Sequence, residues 1–105
     1  MNKLSYRPLA LDDLDAIYDI VGSDYPQRGY EFVQDIRERC RKHLLPHPEF
    51  GPERPDIGEG IRIYAIKAKR TVIAYRIGED EIIIVRVFYG GADYEAILTD
   101  MDDLS

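Results

Sequence analysis

Residues 81–98 read EIIIVRVFYGGADYEAIL, and this stretch decides the fold. Every position from Ile82 to Tyr89 is β-branched or aromatic except Arg86. A strand that lacks a polar face is covered on both sides, because an exposed face would carry polar residues at every second position. Gly90-Gly91 then ends the strand, and Ala92 to Leu98 has helical spacing. The sequence therefore predicts a central strand followed by a short helix or turn.

Three further strands are predicted around this one. Arg70 to Ile77 is a strand that the polar turn Gly78-Glu79-Asp80 joins to the central one, and Ile61 to Ile66 is the strand before it. Lys3 to Arg7 alternates between polar and apolar residues and stops at Pro8, which indicates an edge strand.

Two helices are predicted between the first and second strands. Ala10 to Val21 has apolar residues at helical spacing, and its predicted buried positions are Leu11, Leu14, Ile17, Tyr18 and Val21. The second helix starts at Pro26 and runs to about Leu45, with a buried stripe of Phe32, Val33, Ile36, Cys40 and Leu44. A connection this short predicts an antiparallel helical hairpin.

The predicted fold is α+β with the order β-α-α-β-β-β, in which the helical hairpin packs on one face of a mostly antiparallel four-stranded sheet. The 105 residues suffice for one domain with a small core, and residues 99–105 are predicted to be frayed.

Composition narrows the classes of function. A net charge of −6 disfavours sequence-specific nucleic-acid binding by the chain alone, because phosphates would be repelled. The N-terminal residues resemble no secretory signal, and no apolar run could span a membrane, so we expect a cytoplasmic protein. Cys40, the single cysteine, falls in the predicted core. Cys40, His43, His47 and Glu49 could be metal ligands by residue type, but Pro46 and Pro48 end the predicted helix before His47, so the two histidines do not share a helix face and neither a metal nor another cofactor is expected.

Period-two alternation assigns the strand residues to two faces. The face predicted to pack under the helices carries Ile61, Ile63, Ile73, Tyr75, Ile77, Ile83, Val85 and Val87. The opposite face is predicted to carry Arg62, Tyr64, Ile66, Val72, Ala74, Arg76, Ile82, Ile84, Arg86 and Phe88.

The second face should need a cover, because two helices protect only one side of the sheet and exposed isoleucines forgo roughly 25 cal/mol per Å². The cover could be the C-terminal segment, a second copy, or another chain whose acidic residues meet the arginines. For Arg86, an internal ion pair with a carboxylate such as Asp93 is the alternative to a partner contact.

The segment YRIGEDEIIIVRVFYGGADYEAIL, residues 75–98, resembles the C-terminal part of ParE-type toxins of the RelE/ParE superfamily. These toxins typically have a strand tyrosine-arginine, a turn, and an I-V-R-V-L-H-G motif. The resemblance extends along nearly the whole chain through Pro8-Leu9-Ala10, Asp13-Leu14, Ile17-Tyr18, Phe32-Val33, Ile36, Pro48, Gly51, Arg54, Asp56-Ile57 and Gly60-Ile61-Arg62.

The resemblance implies a bacterial type II toxin-antitoxin module with the predicted fold. It also implies a cognate ParD-like antitoxin, which has a ribbon-helix-helix N-terminus and a C-terminal segment that wraps the toxin. Antitoxin contacts are expected on the second face, at Arg62, Tyr64, Arg76, Ile82, Ile84, Arg86 and Phe88. Target contacts are expected at Tyr89, Asp93 and Tyr94.

Two branches of the superfamily imply different activities. RelE-like members cut ribosome-bound mRNA and carry a basic residue at the positions that Val72 and Ala92 occupy here. Neither side chain can transfer a proton or stabilise the developing charge of a phosphorane. A different catalytic site could use Lys67, Lys69, Arg76 and Tyr89, but the lysines and the tyrosine would need strongly shifted pKa values to act as bases. The ParE branch resembles non-enzymatic toxins that trap DNA gyrase in its DNA-cleaved state.

The leading prediction is therefore a ParE-like gyrase poison that has no catalytic residues. The alternatives are a ribosome-dependent mRNA endoribonuclease and a non-toxic member that binds the antitoxin. The sequence departs from the family in two ways. Tyr89 replaces the histidine of the H-G motif, so no role of that histidine carries over to this chain. The net charge of −6 is unusual among toxins that are commonly basic, which leaves open a different target or an inactive member that binds the antitoxin.

Overall fold

The computed structural model describes residues 2–101 and contains, within that range, four strands and three α-helices. In chain order these elements are β1 Lys3–Tyr6, α1 Pro8–Val21, α2 Pro26–Leu44, β2 Arg62–Ile66, β3 Thr71–Ile77, β4 Glu81–Tyr89 and α3 Tyr94–Thr99. A 3₁₀ turn at Lys67–Lys69 connects β2 to β3. The predicted order of elements is confirmed, and α1 begins at Pro8 rather than Ala10 because proline fits the first turn of a helix.

The strands form one mixed sheet in the order β1-β4-β3-β2. β1 is parallel to β4, while β2 with β3 and β3 with β4 are antiparallel. The α+β fold and the edge position of β1 are confirmed. The central strands are β4 and β3, as their continuous hydrophobic runs predicted.

The helical hairpin packs on one face of the sheet, hereafter the helical face. α1 contributes Ala10, Leu14 and Ile17 to this core, and α2 contributes Ile36, Cys40 and Leu44. The predicted stripe of α2 is confirmed, since Phe32 and Val33 also pack against the same cluster. The stripe of α1 was partly wrong, because Leu11 and Tyr18 are exposed and Ala10 takes the core position.

A bulge in β4 changes which residues face the helices. Ala74 pairs with Arg86 while Tyr75 pairs with Ile84, so Val85 is an extra residue on β4. An extra residue shifts the alternation by one position, so residues before and after it that are an even number apart no longer share a face. Simple alternation along the whole strand therefore assigned part of β4 to the wrong face.

The predicted faces need correction in β2 and in the first half of β4. Tyr64, Ile66, Ile82 and Ile84 lie in the core under the helices, whereas Ile61, Ile63 and Val85 belong to a second cluster on the opposite face. The assignments in β3 hold for Ile73 and Tyr75 beneath the helices and for Ala74 opposite them.

The long connection between α2 and β2 is fixed through Tyr75, whose side chain is fully buried. Its hydroxyl donates a hydrogen bond to the Pro48 carbonyl at 2.7 Å and accepts one from the Gly51 amide at 2.8 Å. A Cβ on Gly51 would lie 2.5 Å from the Ile63 carbonyl oxygen, so glycine is required where the connection crosses β2. This anchoring explains how an irregular, proline-rich segment keeps one course.

Cys40 is a buried core residue, as predicted. Burial raises the pKa of its thiol to about 12, which keeps it protonated and unreactive at neutral pH. Burial likewise raises the pKa of the adjacent Tyr6 hydroxyl. Among residues 2–101, no helix is both long and apolar enough to cross a membrane.

Candidate partner-binding surface

The face of the sheet opposite the helices, hereafter the second face, is covered by the chain itself. Leu98 of α3 is fully buried there with Ile57 from the α2–β2 connection, and Tyr94 and Met101 pack against the same cluster. The expectation that this face would be largely wet in the monomer was wrong. The C-terminal segment, one of the covers considered, closes much of it. Residues 102–105 of the predicted frayed tail lie outside the described range.

Arg86 is paired internally with Asp13 of α1. Its Nε and Nη2 donate to the two Asp13 carboxylate oxygens at 2.8 and 2.9 Å, and the Val87 amide donates to the same carboxylate at 2.8 Å. The hydrogen bonds to Asp13 raise the pKa of the Arg86 guanidinium. The internal pair considered for Arg86 therefore exists, but with Asp13 instead of Asp93.

Asp13 takes the place of a neighbouring strand. β1 ends at Tyr6 and pairs only with the first half of β4, so the Val87 amide faces α1 rather than a strand. A carboxylate can satisfy that amide and a guanidinium together, because each of its oxygens accepts more than one hydrogen bond. Asp13 thus fastens α1 to the second half of β4.

The other two arginines of the predicted antitoxin surface, Arg62 and Arg76, differ in their hydrogen bonds and ion pairs within the chain. Arg62 donates to the Gly51 carbonyl at 2.8 Å and lies 3.7 Å from a Glu53 carboxylate oxygen. Arg76 is half-buried beside Gly60 and makes no ion pair within the described residues. Arg76 is therefore the arginine of this set that could meet an external carboxylate at least cost.

The apolar residues of the predicted antitoxin surface are not together. Phe88 lies on the second face, where its ring is 5.2 Å from the Arg86 guanidinium and 6.1 Å from the Tyr94 ring. Tyr64, Ile82 and Ile84 are 7%, 0% and 0% exposed beneath the helices. These three residues were wrongly predicted to be anchors on an open face. In β2 and in the first half of β4, the residues assigned to the open face by period-two alternation point toward the helices instead.

The predicted target contacts surround the turn at Gly90-Gly91. Tyr89 packs edge-on against Phe32 with ring centroids 5.5 Å apart, and the Asp93 side chain accepts a hydrogen bond from the Ala96 amide at 3.2 Å, which caps α3. Both glycines have positive φ, 74° and 82°, which lets the chain reverse from β4 into α3. Tyr89 thus lies on the helical face and Tyr94 on the second face, so the three residues surround one turn but their side chains are not brought together.

The residues weighed for RNA cleavage are not assembled into one site. Lys69 forms an ion pair with Asp35 at 2.9 Å and lies 4.3 Å from the centre of the Phe32 ring, which Tyr89 also contacts. Hydrogen bonding from Lys69 lowers the pKa of Asp35. Arg76 is at the other end of β3, opposite Ile83, whereas Tyr89 is opposite Thr71. The backbone positions of Arg76 and Tyr89 are therefore separated by roughly 17 Å along the strands.

A groove of about 220 Å³ opens between α1 and α3 along the second half of β4. It is lined by Asp13, Ala16, Ile17, Ile20, Arg86, Val87, Phe88, Tyr89, Ala92 and Ile97. Its walls expose large apolar side chains, with Ile20 at 61% and Ile97 at 37%. Sequence reasoning missed this site, although Leu9, Ala16 and Ile20 already formed an apolar row on α1 beside the core stripe.

No cluster of three or more His, Cys, Asp or Glu side chains suited to a metal ion occurs in the described part of the chain. Cys40 is in the core, whereas His43 stacks on Phe50 with ring centroids 5.5 Å apart. Cys40 and His43 thus have packing roles.

Comparison with known proteins identifies what this architecture resembles. The family model described as ParE toxin of type II toxin-antitoxin system, parDE, matches residues 4–94. A chain of the solved structure described as a chromosomal ParDE TA system from P. aeruginosa superposes with a TM-score of 0.70 and 31% sequence identity. That match covers 83% of this chain and 94% of the other. Among curated protein sequences, none matches significantly.

Proposed function

The chain belongs to the ParE toxin family of type II toxin-antitoxin systems, and from this we propose that it stops bacterial growth by binding a target protein rather than by catalysis. The proposed target is DNA gyrase in the cytoplasm, held in its DNA-cleaved state. The proposed antagonist is a cognate ParD-like antitoxin.

The observation that carries the proposal of a non-enzymatic toxin is the environment of Val72 and Ala92. These positions correspond to basic residues in RelE-like ribonucleases. Val72 packs against the apolar cluster of the second face, and Ala92 lines the groove beside α3. Neither side chain can act as an acid, a base or a stabilising cation in RNA cleavage.

Contacts with the two partners are proposed at different places. Arg76 remains an antitoxin candidate on the second face, because it has no internal ion pair among the described residues that a partner would need to break. Phe88 on the same face is only 5% exposed and already packs against Tyr94. Tyr89, Asp93 and Tyr94 remain candidates for the target, because they border the Gly90-Gly91 turn at one end of the sheet, with Tyr89 on the helical face and Tyr94 on the second face.

The proposal is tested by inducing the chain alone in bacteria that carry a DNA-damage reporter. We expect growth arrest with reporter induction, and recovery when the ribbon-helix-helix protein encoded beside the toxin gene is co-expressed. Primer extension on abundant mRNAs should show no new cuts within coding sequence.

Two results would contradict this function. Unchanged growth despite abundant folded protein would indicate a non-toxic member of the family. Growth arrest with ribosome-dependent cuts in mRNA, and no damage signal, would indicate an endoribonuclease instead.

A further inference from the structure

We propose that the antitoxin inserts an extended segment into the groove between α1 and α3, where it pairs with the open edge of β4. The segment would carry apolar side chains and at least one lysine or arginine. This inference rests on the proposed function, since it names where and how the antitoxin of that system binds.

The edge of β4 is available because β1 is shorter. β1 has four residues and pairs with Glu81 to Ile84, whereas β4 continues to Tyr89. Over this second half, no strand of the described chain lies beside β4 on that side. An unpaired strand edge presents a row of amide and carbonyl groups to which another strand can bind.

The direction of the backbone groups follows from two hydrogen bonds. The Val87 amide points away from β3, because it donates to Asp13, whereas the Gly90 amide points toward β3 and donates to the Arg70 carbonyl. Backbone groups of alternate residues in a strand share one side. The Val87 carbonyl and the Tyr89 amide and carbonyl therefore face the groove and can each take a partner.

The walls of the groove suit apolar side chains. Ala16 and Ile20 are one helical turn apart on α1, and Ala92 and Ile97 stand on the opposite side. Ile20 and Ile97 are 61% and 37% exposed, although both belong to a continuous apolar lining. A side chain of the inserted segment would cover them and gain the free energy of removing their surface from water.

The acidic residues on α1 beside the groove favour a basic antitoxin segment. Asp12 and Asp19 do not line the groove but lie one helical turn from Ala16 on the solvent side of α1, are exposed, and form no ion pair in the described part of the chain. Asp13, deeper in the groove, is already neutralised by Arg86. A segment rich in acidic residues would be repelled at this rim, whereas a lysine or arginine would be attracted.

An extended segment fits this groove better than a helix does. A helix with its side chains is about 10–12 Å wide and has no free backbone groups for the β4 edge. The groove has a volume of about 220 Å³ and one wall made of strand backbone. An added strand would satisfy the Val87 and Tyr89 groups and place alternate side chains between α1 and α3. It would also cover Tyr89, a proposed target contact, so a bound antitoxin would block the toxin from binding its target.

The test measures binding of the full chain to the ribbon-helix-helix protein encoded beside its gene by calorimetry. Ile20→Asp and Ile97→Asp should each weaken the dissociation constant at least tenfold, because a carboxylate would replace an apolar contact. Ile77→Asp is the matched control, since Ile77 is 38% exposed and lies at the other end of the sheet. Its dissociation constant should stay within twofold of the unmodified chain.

Amide hydrogen exchange of the complex tests strand pairing separately from packing. The Tyr89 amide should exchange at least tenfold more slowly in the complex than in the free chain. The Ala65 amide is the internal control, because it lies on the outer edge of β2, away from the groove. Its exchange rate should not change.

The outcomes separate this inference from the function on which it rests. Tight binding that both aspartate variants retain, or a Tyr89 amide that stays unprotected, would overturn the docking site and leave the toxin-antitoxin function standing. Loss of toxicity in those variants with unchanged antitoxin affinity would assign the groove to the target and also overturn the inference. Absence of binding by the unmodified chain would overturn the proposed antitoxin itself.

Discussion

Replacing Asp13 with alanine is expected to lower the free energy of unfolding by about 3 kcal/mol. The substitution removes both hydrogen bonds to Arg86 and the acceptor of the Val87 amide. Breaking a buried ion pair by deleting one partner costs about 3–5 kcal/mol, and the residual exposure of this pair places it at the lower end. Urea denaturation followed by circular dichroism measures the change.

Asp15→Ala is the matched control for this variant. Asp15 is on the same helix, is exposed, and makes no hydrogen bond or ion pair within the described chain. Its substitution should change the free energy of unfolding by less than about 0.5 kcal/mol. Equal stability of the two variants would mean that the Asp13 carboxylate does not hold α1 on β4.

Replacing Gly29 with alanine is expected to lower the free energy of unfolding by about 2 kcal/mol. A Cβ at Gly29 would lie 2.4 Å from the Tyr18 carbonyl oxygen and 3.1 Å from the Gly22 Cα, so the start of α2 would be pushed away from the end of α1. Such overpacking costs up to about 3 kcal/mol, whereas the better helix propensity of alanine returns about 1 kcal/mol. Thermal and urea denaturation would both report the loss.

Gln34→Ala provides the control, because it places alanine at an exposed position of the same helix. We expect its stability to match that of the unmodified chain or to exceed it by a few tenths of a kcal/mol. If Gly29→Ala were instead stabilising by about 1 kcal/mol, propensity alone would govern the site and the close approach of the two helices would be refuted.

Hydrophobic patterning was enough to predict the order of the elements and the centre of the sheet. β4 was identified because its run from Ile82 to Tyr89 contains one polar residue, and it lies between β1 and β3. Such a run does not reveal which residues share a face, because both faces are apolar and nothing marks the extra residue Val85. Tyr64 was misplaced for a related reason, since an aromatic residue suits either face of β2.

The number of predicted helices did not show that the C-terminal segment covers the second face. The sequence showed helical spacing after Gly90-Gly91, but a six-residue helix is too short to show which side of the sheet it packs on. Leu98 and Ile57 meet there only because the turn and the α2–β2 connection both return to that face. Contacts between such distant segments depend on tertiary geometry, which periodicity does not encode.

Asp13 shows how one residue can fit two interpretations. In the predicted helix, which begins at Ala10, Asp13 falls in the first turn and would interact favourably with the helix dipole, whereas the observed helix begins at Pro8 and has no acidic residue in its first turn. The structure gives it the more specific role of binding Arg86 and the Val87 amide. A clue was present in the sequence, because a single charge within an apolar strand requires a partner of opposite charge, but nothing distinguished Asp13 from Asp93.

The central claim is that this chain acts on gyrase as a binding protein without catalysing a reaction. It is tested most directly by mixing the purified chain with gyrase, ATP and supercoiled plasmid, then adding detergent and protease. We predict that linear DNA accumulates with increasing toxin and disappears when the neighbouring ribbon-helix-helix protein is added first. No linear DNA at any toxin concentration, together with mRNA cut in a translating extract, would contradict the account.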